Sequence, residues 1–175
     1  MTVKGAGIFG LSIAWACVER GARVRVIDPN GTGGGASGGI VGALAPHVPE
    51  NWNGKKEFQF QSLIAAEDFW KHVENYAGIE TSYARTGRVQ PLADARAVEL
   101  AQAREETARE LWRGKADWCV VSAEALSGPL PESETGLYVH DTLTARMFPR
   151  QACKALAAAI VARGGEIVRE STDAG

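Results

Sequence analysis

GAGIFGLSIAWACVERGARVRVIDPNGTGGGASGG, residues 5–39 of a 175-residue chain, sets one apolar helical segment and one strand-like segment between two glycine clusters. Gly5-Ala6-Gly7-Ile8-Phe9-Gly10 has the spacing GxGxxG, and Thr2-Val3-Lys4 before it reads as a short strand. Each glycine has its own task in such a turn. Gly5 permits the tight reversal, Gly7 lets backbone N–H groups approach a pyrophosphate with no Cβ in the way, and Gly10 lets the helix lie close on the sheet. The helix N-terminus adds the positive end of its dipole. Ile8, Leu11, Trp15 and Val18 recur at helical spacing, and Gly21 stands where a left-handed residue closes a helix. Arg23 to Asp28 then reads as a second strand ending in an acid, 18 residues after Gly10. A carboxylate there accepts ribose hydroxyls and repels a 2′-phosphate. Strand, helix, strand and acid in one register imply a dinucleotide site.

The second glycine cluster narrows the ligand. In a nicotinamide domain the second strand soon leads through another helix into a third strand. Here Gly31 to Gly39 and the small, apolar run Ile40 to Ala45 follow instead, and no helix-strand continuation comes before residues 148–170. The stretches GAGIFGLS, VRVIDP and GGGASGGIVGALAPH resemble the flavoprotein family of D-amino-acid and glycine oxidases, the FAD-dependent amine oxidoreductases, and the resemblance covers most of the chain. It implies an α/β fold: an FAD-binding Rossmann-like parallel sheet over residues 1–46 and 148–175, with a partial α+β substrate domain inserted over 47–147. It further implies FAD held by Gly5, Ala6, Gly7, Ile8, Phe9, Gly10, Asp28 and Pro29 and by Ala36, Ser37, Gly38 and Gly39. Ile40 to Ala45 would run along the flavin ring, and the substrate would be a small amine or amino acid. Two alternatives stand beside this reading. Asp28 suits NAD equally well, so an NAD-dependent dehydrogenase with an insertion is one; a non-catalytic flavoprotein-like module that associates with itself is the other. A glycine- and serine-rich run is also typical of a plain linker.

Around this core, Gln61 to Ala77 carries Leu63, Ala66, Trp70 and Val73 on one helical face closed by Gly78, and Asp94 to Trp112 reads as a second long helix. Thr81 to Leu92 suggests a strand pair about Gly87, and Glu134 to Thr144 a further extended segment. Pro149 suits the first position of a helix reaching Arg163, with Gly164-Gly165 ending it and Glu166 to Glu170 following as the third parallel strand. Arg85 and Arg88 are candidate carboxylate holders, though arginines beside a turn are commonly surface charges. His47 follows the supposed flavin-facing run; a flavin accepts hydride without needing a protein base, so no catalytic role is assigned to it. Family members are far longer, and the arginine and tyrosine of their substrate pocket lie beyond the equivalent of Gly175. The catalytic residues are therefore unknown, and little turnover is expected of this chain alone.

Composition excludes other classes. A formal net charge of -2 with acids and bases interspersed gives no footprint for nucleic acid. Cys17, Cys119 and Cys153 contain no paired spacing, so neither a zinc site nor a disulfide framework is expected, and Cys17 and Cys153 read as buried structural thiols. Only Met1 to Lys4 precede Gly5, leaving no room for a leader, and no apolar run spans a bilayer. A cytoplasmic location is the expectation. The outer edge of the first strand has no neighbour in this sequence, so self-association, a missing completing chain or a truncated product of a longer gene is expected.

Overall fold

The computed structural model describes residues 1–170. In chain order it contains β1 (Thr2–Lys4), α1 (Ile8–Glu19), β2 (Arg25–Ile27), a short 3-10 turn (Ala36–Gly38), β3 (Gly42–Leu44), α2 (Gly54–Ala77), β4 (Arg88–Pro91), α3 (Ala95–Leu111), β5 (Trp118–Ser122), β6 (Leu137–Asp141), β7 (Ala145–Met147), α4 (Pro149–Ala162) and β8 (Glu166–Val168). The chain divides into two compact units. Among the described residues, 1–42, 68–83 and 146–170 form the first, and 43–67 and 84–145 the second.

In the first unit a parallel sheet has the order β1-β2-β8, with Val3 beside Val26 and Val26 beside Ile167. The third strand follows the second after most of the chain has intervened, as the sequence predicts. α1 is apolar on all sides: Leu11, Ala14, Trp15 and Val18 are buried, whereas Phe9 and Ile13 are exposed. α4 buries Ala152, Cys153, Ala155, Leu156, Ala159 and Ile160, and burial of this apolar face, rather than local propensity, is what holds such a helix. Gly10 is fixed by packing. A Cβ there would lie 2.0 Å from the Gly5 carbonyl oxygen, well inside van der Waals contact. Residues 68–83, which the sequence groups with the middle of the chain, cluster with this unit because His72 and Tyr76 pack their rings on Trp15.

The second unit is an antiparallel sheet of order β4-β6-β5 covered by α3. Phe60, Leu63, Leu92, Ala101, Ala108, Trp112, Trp118, Val139 and Leu143 form its core. Asp94 caps α3, its side chain accepting the Ala97 N–H at 2.7 Å.

Three expectations are corrected. The strand pair about Gly87 is a single strand, β4, whose partner is β6; Gly87 donates its N–H to the Thr144 carbonyl, so the turn leads to a distant strand. α2 begins at Gly54, two turns before Gln61, because Asn53 accepts the N–H groups of Lys55 and Lys56 and so starts the helix ahead of its apolar stripe. Cys17 is half-buried, on the flank of α1; Cys153 alone of the three thiols is buried.

Candidate cofactor site

The GxGxxG turn leaves β1 through Gly5, whose φ of +102° is unfavourable for any residue with a side chain. Its N–H donates to the Ile27 carbonyl at 2.8 Å, fastening the turn to the end of β2. Asp28, the next residue, uses both carboxylate oxygens: one accepts the Ala6 N–H at 2.8 Å and the other the Asn30 N–H at 2.8 Å. Each oxygen keeps a lone pair for a further donor. The acid at the strand end therefore braces the turn as well as offering a negative charge beside it.

The second glycine cluster folds back onto the first. Gly33 donates its N–H to the Ala6 carbonyl at 2.8 Å, and the Ser37 hydroxyl accepts the Ile8 N–H at 3.0 Å. Leu11 makes the first intrahelical bond of α1, to the Gly7 carbonyl, so helix geometry leaves the Phe9 and Gly10 N–H groups without an intrahelical acceptor. A Cβ at Gly7 would stand 3.2 Å from the Ser37 hydroxyl, in the narrow gap between the two glycine segments. Open backbone donors and a helix N-terminus form a seat for a phosphate group. These residues fit the pyrophosphate of a dinucleotide.

Residues 5–10, 28 and 36–38 thus come together from three separate stretches, and the sequence had singled out all of them. Two residues that it did not single out also belong to the cluster. Arg150, at the start of α4, donates its backbone N–H to the Gly39 carbonyl and its side-chain Nε–H to the Gly38 carbonyl, each at 3.2 Å. Cys153, one turn on, lies against Gly33 and hydrogen-bonds to Ser37; burial pushes its thiol pKa up, and the Ser37 bond opposes that shift. No spacing rule joins residue 150 to residue 38, so no local signal could have found them. Ile40 and Val41, expected along the flavin, are both exposed apolar side chains.

Other candidates have structural duties. The Arg85 guanidinium donates to the carbonyls of Thr142 and Lys115. Arg88 pairs at 3.0 Å with Asp141, a fully buried carboxylate directly opposite it on β6. His47 has its backbone N–H bound by Gln59 Oε1. Among the described residues there is no cluster of ligands able to hold a metal ion, and no helix long and apolar enough to cross a membrane.

A family model described as FAD dependent oxidoreductase matches residues 1–173. The uncharacterized oxidoreductase YurR of Bacillus subtilis (strain 168) is 27% identical over 172 residues, which are 95% of this chain and 45% of that protein. Among solved structures, the glycine oxidase of Geobacillus kaustophilus superposes with a TM-score of 0.71 at 16% identity, covering 95% of this chain and 45% of that one. The L-amino acid deaminase of Proteus myxofaciens, in complex with anthranilate, gives 0.74 at 24% identity, covering 95% and 37%. At those identities the likeness establishes the fold. The chain spans less than half the length of the relatives it matches.

Proposed function

Because the chain belongs to the FAD-dependent oxidoreductase family, we propose that it is the cofactor-gripping portion of an enzyme that oxidises a small amine or amino acid. The observation that carries this reading is the clasp between the two glycine clusters, Gly33 to Ala6 and Ser37 to Ile8, which makes one seat out of two motifs. A nicotinamide enzyme would have no use for the second motif at that place.

FAD, when bound, supplies the acceptor for the two electrons and the hydrogen lost from the carbon bearing the amine. The chain's own groups bind and orient. Gly5, Ala6, Gly7, Ile8, Phe9 and Gly10 offer backbone donors and the α1 dipole to the pyrophosphate. Ala36, Ser37, Gly38 and Gly39 close over the same group, with Ser37 capping Ile8 and bonding the Cys153 thiol. Asp28, with Pro29 after it, takes the ribose hydroxyls on the lone pairs left by Ala6 and Asn30, and its charge disfavours a cofactor carrying a 2′-phosphate. The residues 43–67 and 84–145 form part of a substrate domain, and Ile40 and Val41, exposed here, face the ring of the flavin.

Rate in amine oxidation depends on holding the reacting carbon against the flavin in a site that excludes water. With less than half of a relative's length present, that enclosure is incomplete, and this chain by itself binds FAD without turning over glycine or D-amino acids. Spectral titration with FAD, NAD and NADP tests the reading: a perturbed flavin spectrum with saturable binding, and no comparable binding of either nicotinamide cofactor, is expected. NAD binding more tightly than FAD would overturn it, and substrate-dependent anaerobic bleaching of the bound flavin would overturn the statement about turnover.

A further inference from the structure

We propose that Arg150 is an anion-binding residue of the cofactor seat, supplying the one formal positive charge that the glycine motifs lack; this rests on the FAD reading above. The seat otherwise consists of neutral backbone donors and the partial charge of a helix end. Dinucleotide pyrophosphate carries about two negative charges at neutral pH, and a guanidinium matches phosphate oxygens with paired donors.

The placement of Arg150 calls for an anion. Pro149 is the first residue of α4, so Arg150 lies in its first turn, where the helix dipole opposes a cation. The residue is exposed, so its guanidinium is open to a ligand in solution. Among the described residues Arg150 forms no ion pair, and Asp28, the acid of the motif, is bonded to the N–H groups of Ala6 and Asn30 and not to Arg150.

The side chain is also held in a definite place rather than left to wander in solvent. Nε donates to the Gly38 carbonyl at 3.2 Å, and the backbone N–H of the same residue holds the Gly39 carbonyl. Both acceptors adjoin Ser37, which caps the N-terminus of α1. Cys153, three residues further along the same face of α4, presses on Gly33 and bonds to Ser37. The start of α4 therefore fixes the Ala36–Gly39 turn from below and leaves the terminal Nη groups of Arg150 for a ligand at the turn.

Calorimetric titration of the 175-residue chain with FAD, ADP and riboflavin, at low salt and at several-fold higher salt, tests this in R150Q, R150K and the control R20Q. Arg20 is an exposed arginine just past α1 whose side chain is bonded only to the Ala16 carbonyl among the described contacts, and its replacement changes the net charge by the same amount. R150Q is expected to weaken FAD and ADP about five- to tenfold at low salt and to flatten the salt dependence. R150K, which keeps the charge but loses the paired guanidinium donors and the Nε bond to Gly38, is expected to recover part of the affinity. Riboflavin, which has no phosphate, is expected to bind all variants alike, and R20Q to match the wild type. Equal FAD and ADP affinities in R150Q and wild type would overturn the role of Arg150 while leaving the cofactor reading intact. R150K as weak as R150Q, or riboflavin weakened in step with ADP, would show that Arg150 acts by shaping the turn and would overturn the charge role. A wild-type chain that binds neither FAD nor ADP would bring down both readings together.

Discussion

The first compact unit is fastened at its glycine motifs by main-chain hydrogen bonds, whereas the second adds paired side-chain charges to its sheet and apolar core. Around the glycine motifs the fastenings are N–H groups and carbonyls: Gly5 to Ile27, Gly33 to Ala6, Arg150 to Gly39. Its ion pairs, Arg25 with Glu170 and His72 with Glu19, lie at exposed or half-exposed positions and contribute little. In the second unit Arg88 faces the buried Asp141 across two strands, Arg104 grips Glu50 through two hydrogen bonds, and Arg113 grips Glu57 in the same way. Those charges cancel one another. The backbone donors at the start of α1 and the guanidinium of Arg150 are not cancelled, and an uncancelled positive site is what an anionic cofactor requires.

The comparison breaks most visibly at Gly10. G10A drives a Cβ into the Gly5 carbonyl, and neither backbone segment can retreat without opening the β1-α1 packing. A loss of more than about 4 kcal/mol is expected, most of an ordinary folding margin, with FAD binding abolished. Urea denaturation checks it, and a midpoint near that of the wild type would mean that the turn is softer than its geometry implies.

R88A tests the other side. Asp141, fully buried, would lose its partner, at a cost of about 3 kcal/mol, because removal of one member of a buried pair leaves desolvation uncompensated. FAD affinity of the folded protein should be unchanged, since the pair belongs to the other unit. A drop in affinity equal to that of a site variant would erase the distinction between the units.

The smallest effect is a pH dependence. Arg113, Gln61 and Trp52 all donate to Glu57 and hold its pKa near about 2, against an ordinary value of 4.5, with the Arg113 bond contributing most. A carboxylate with a depressed folded-state pKa stabilises the fold fully above its unfolded pKa and loses that contribution as pH falls through the folded one. The melting temperature should therefore decline between about pH 4.5 and 2, and E57Q should flatten that part of the profile. Because the group is exposed, the change will be slight. Identical profiles for E57Q and wild type would remove Glu57 from the charge network.

Glycine positions were legible in the sequence because the constraint on them is local. A turn at Gly5 and a helix at Ile8 follow from neighbours a few residues away, and Gly21, Gly78 and Gly164, each predicted to end a helix, all have positive φ. The α2 start was less legible, since Lys55, Lys56 and Glu57 show no apolar stripe and only the Asn53 cap marks the boundary. β5, Trp118–Ser122, was not foreseen although the Gly114 turn precedes it; its place is set by pairing with β6, Val120 beside Val139. Arg85 and Arg88 looked like ligands for a substrate carboxylate only while Thr142, Lys115 and Asp141 were distant in the chain.

By itself, then, the sequence determined the GxGxxG turn, the acid at the end of the second strand, the small-residue run that separates FAD from NAD, and the late return of the third strand. All are short-range patterns or repeats of one motif's spacing, and backbone sterics enforce them wherever they occur. The tertiary structure alone decided that Ser37 caps Ile8, that Asp28 braces Ala6 and Asn30, and that α4 brings Arg150 and Cys153 beneath the phosphate turn. Apart from the local Asp28–Asn30 turn, these contacts join residues 22 to 116 positions apart. They arise only when the burial of α4 and the pairing of β2 with β8 have brought the far end of the chain back, and apolar burial of that kind fixes position without leaving any spacing in the sequence to read.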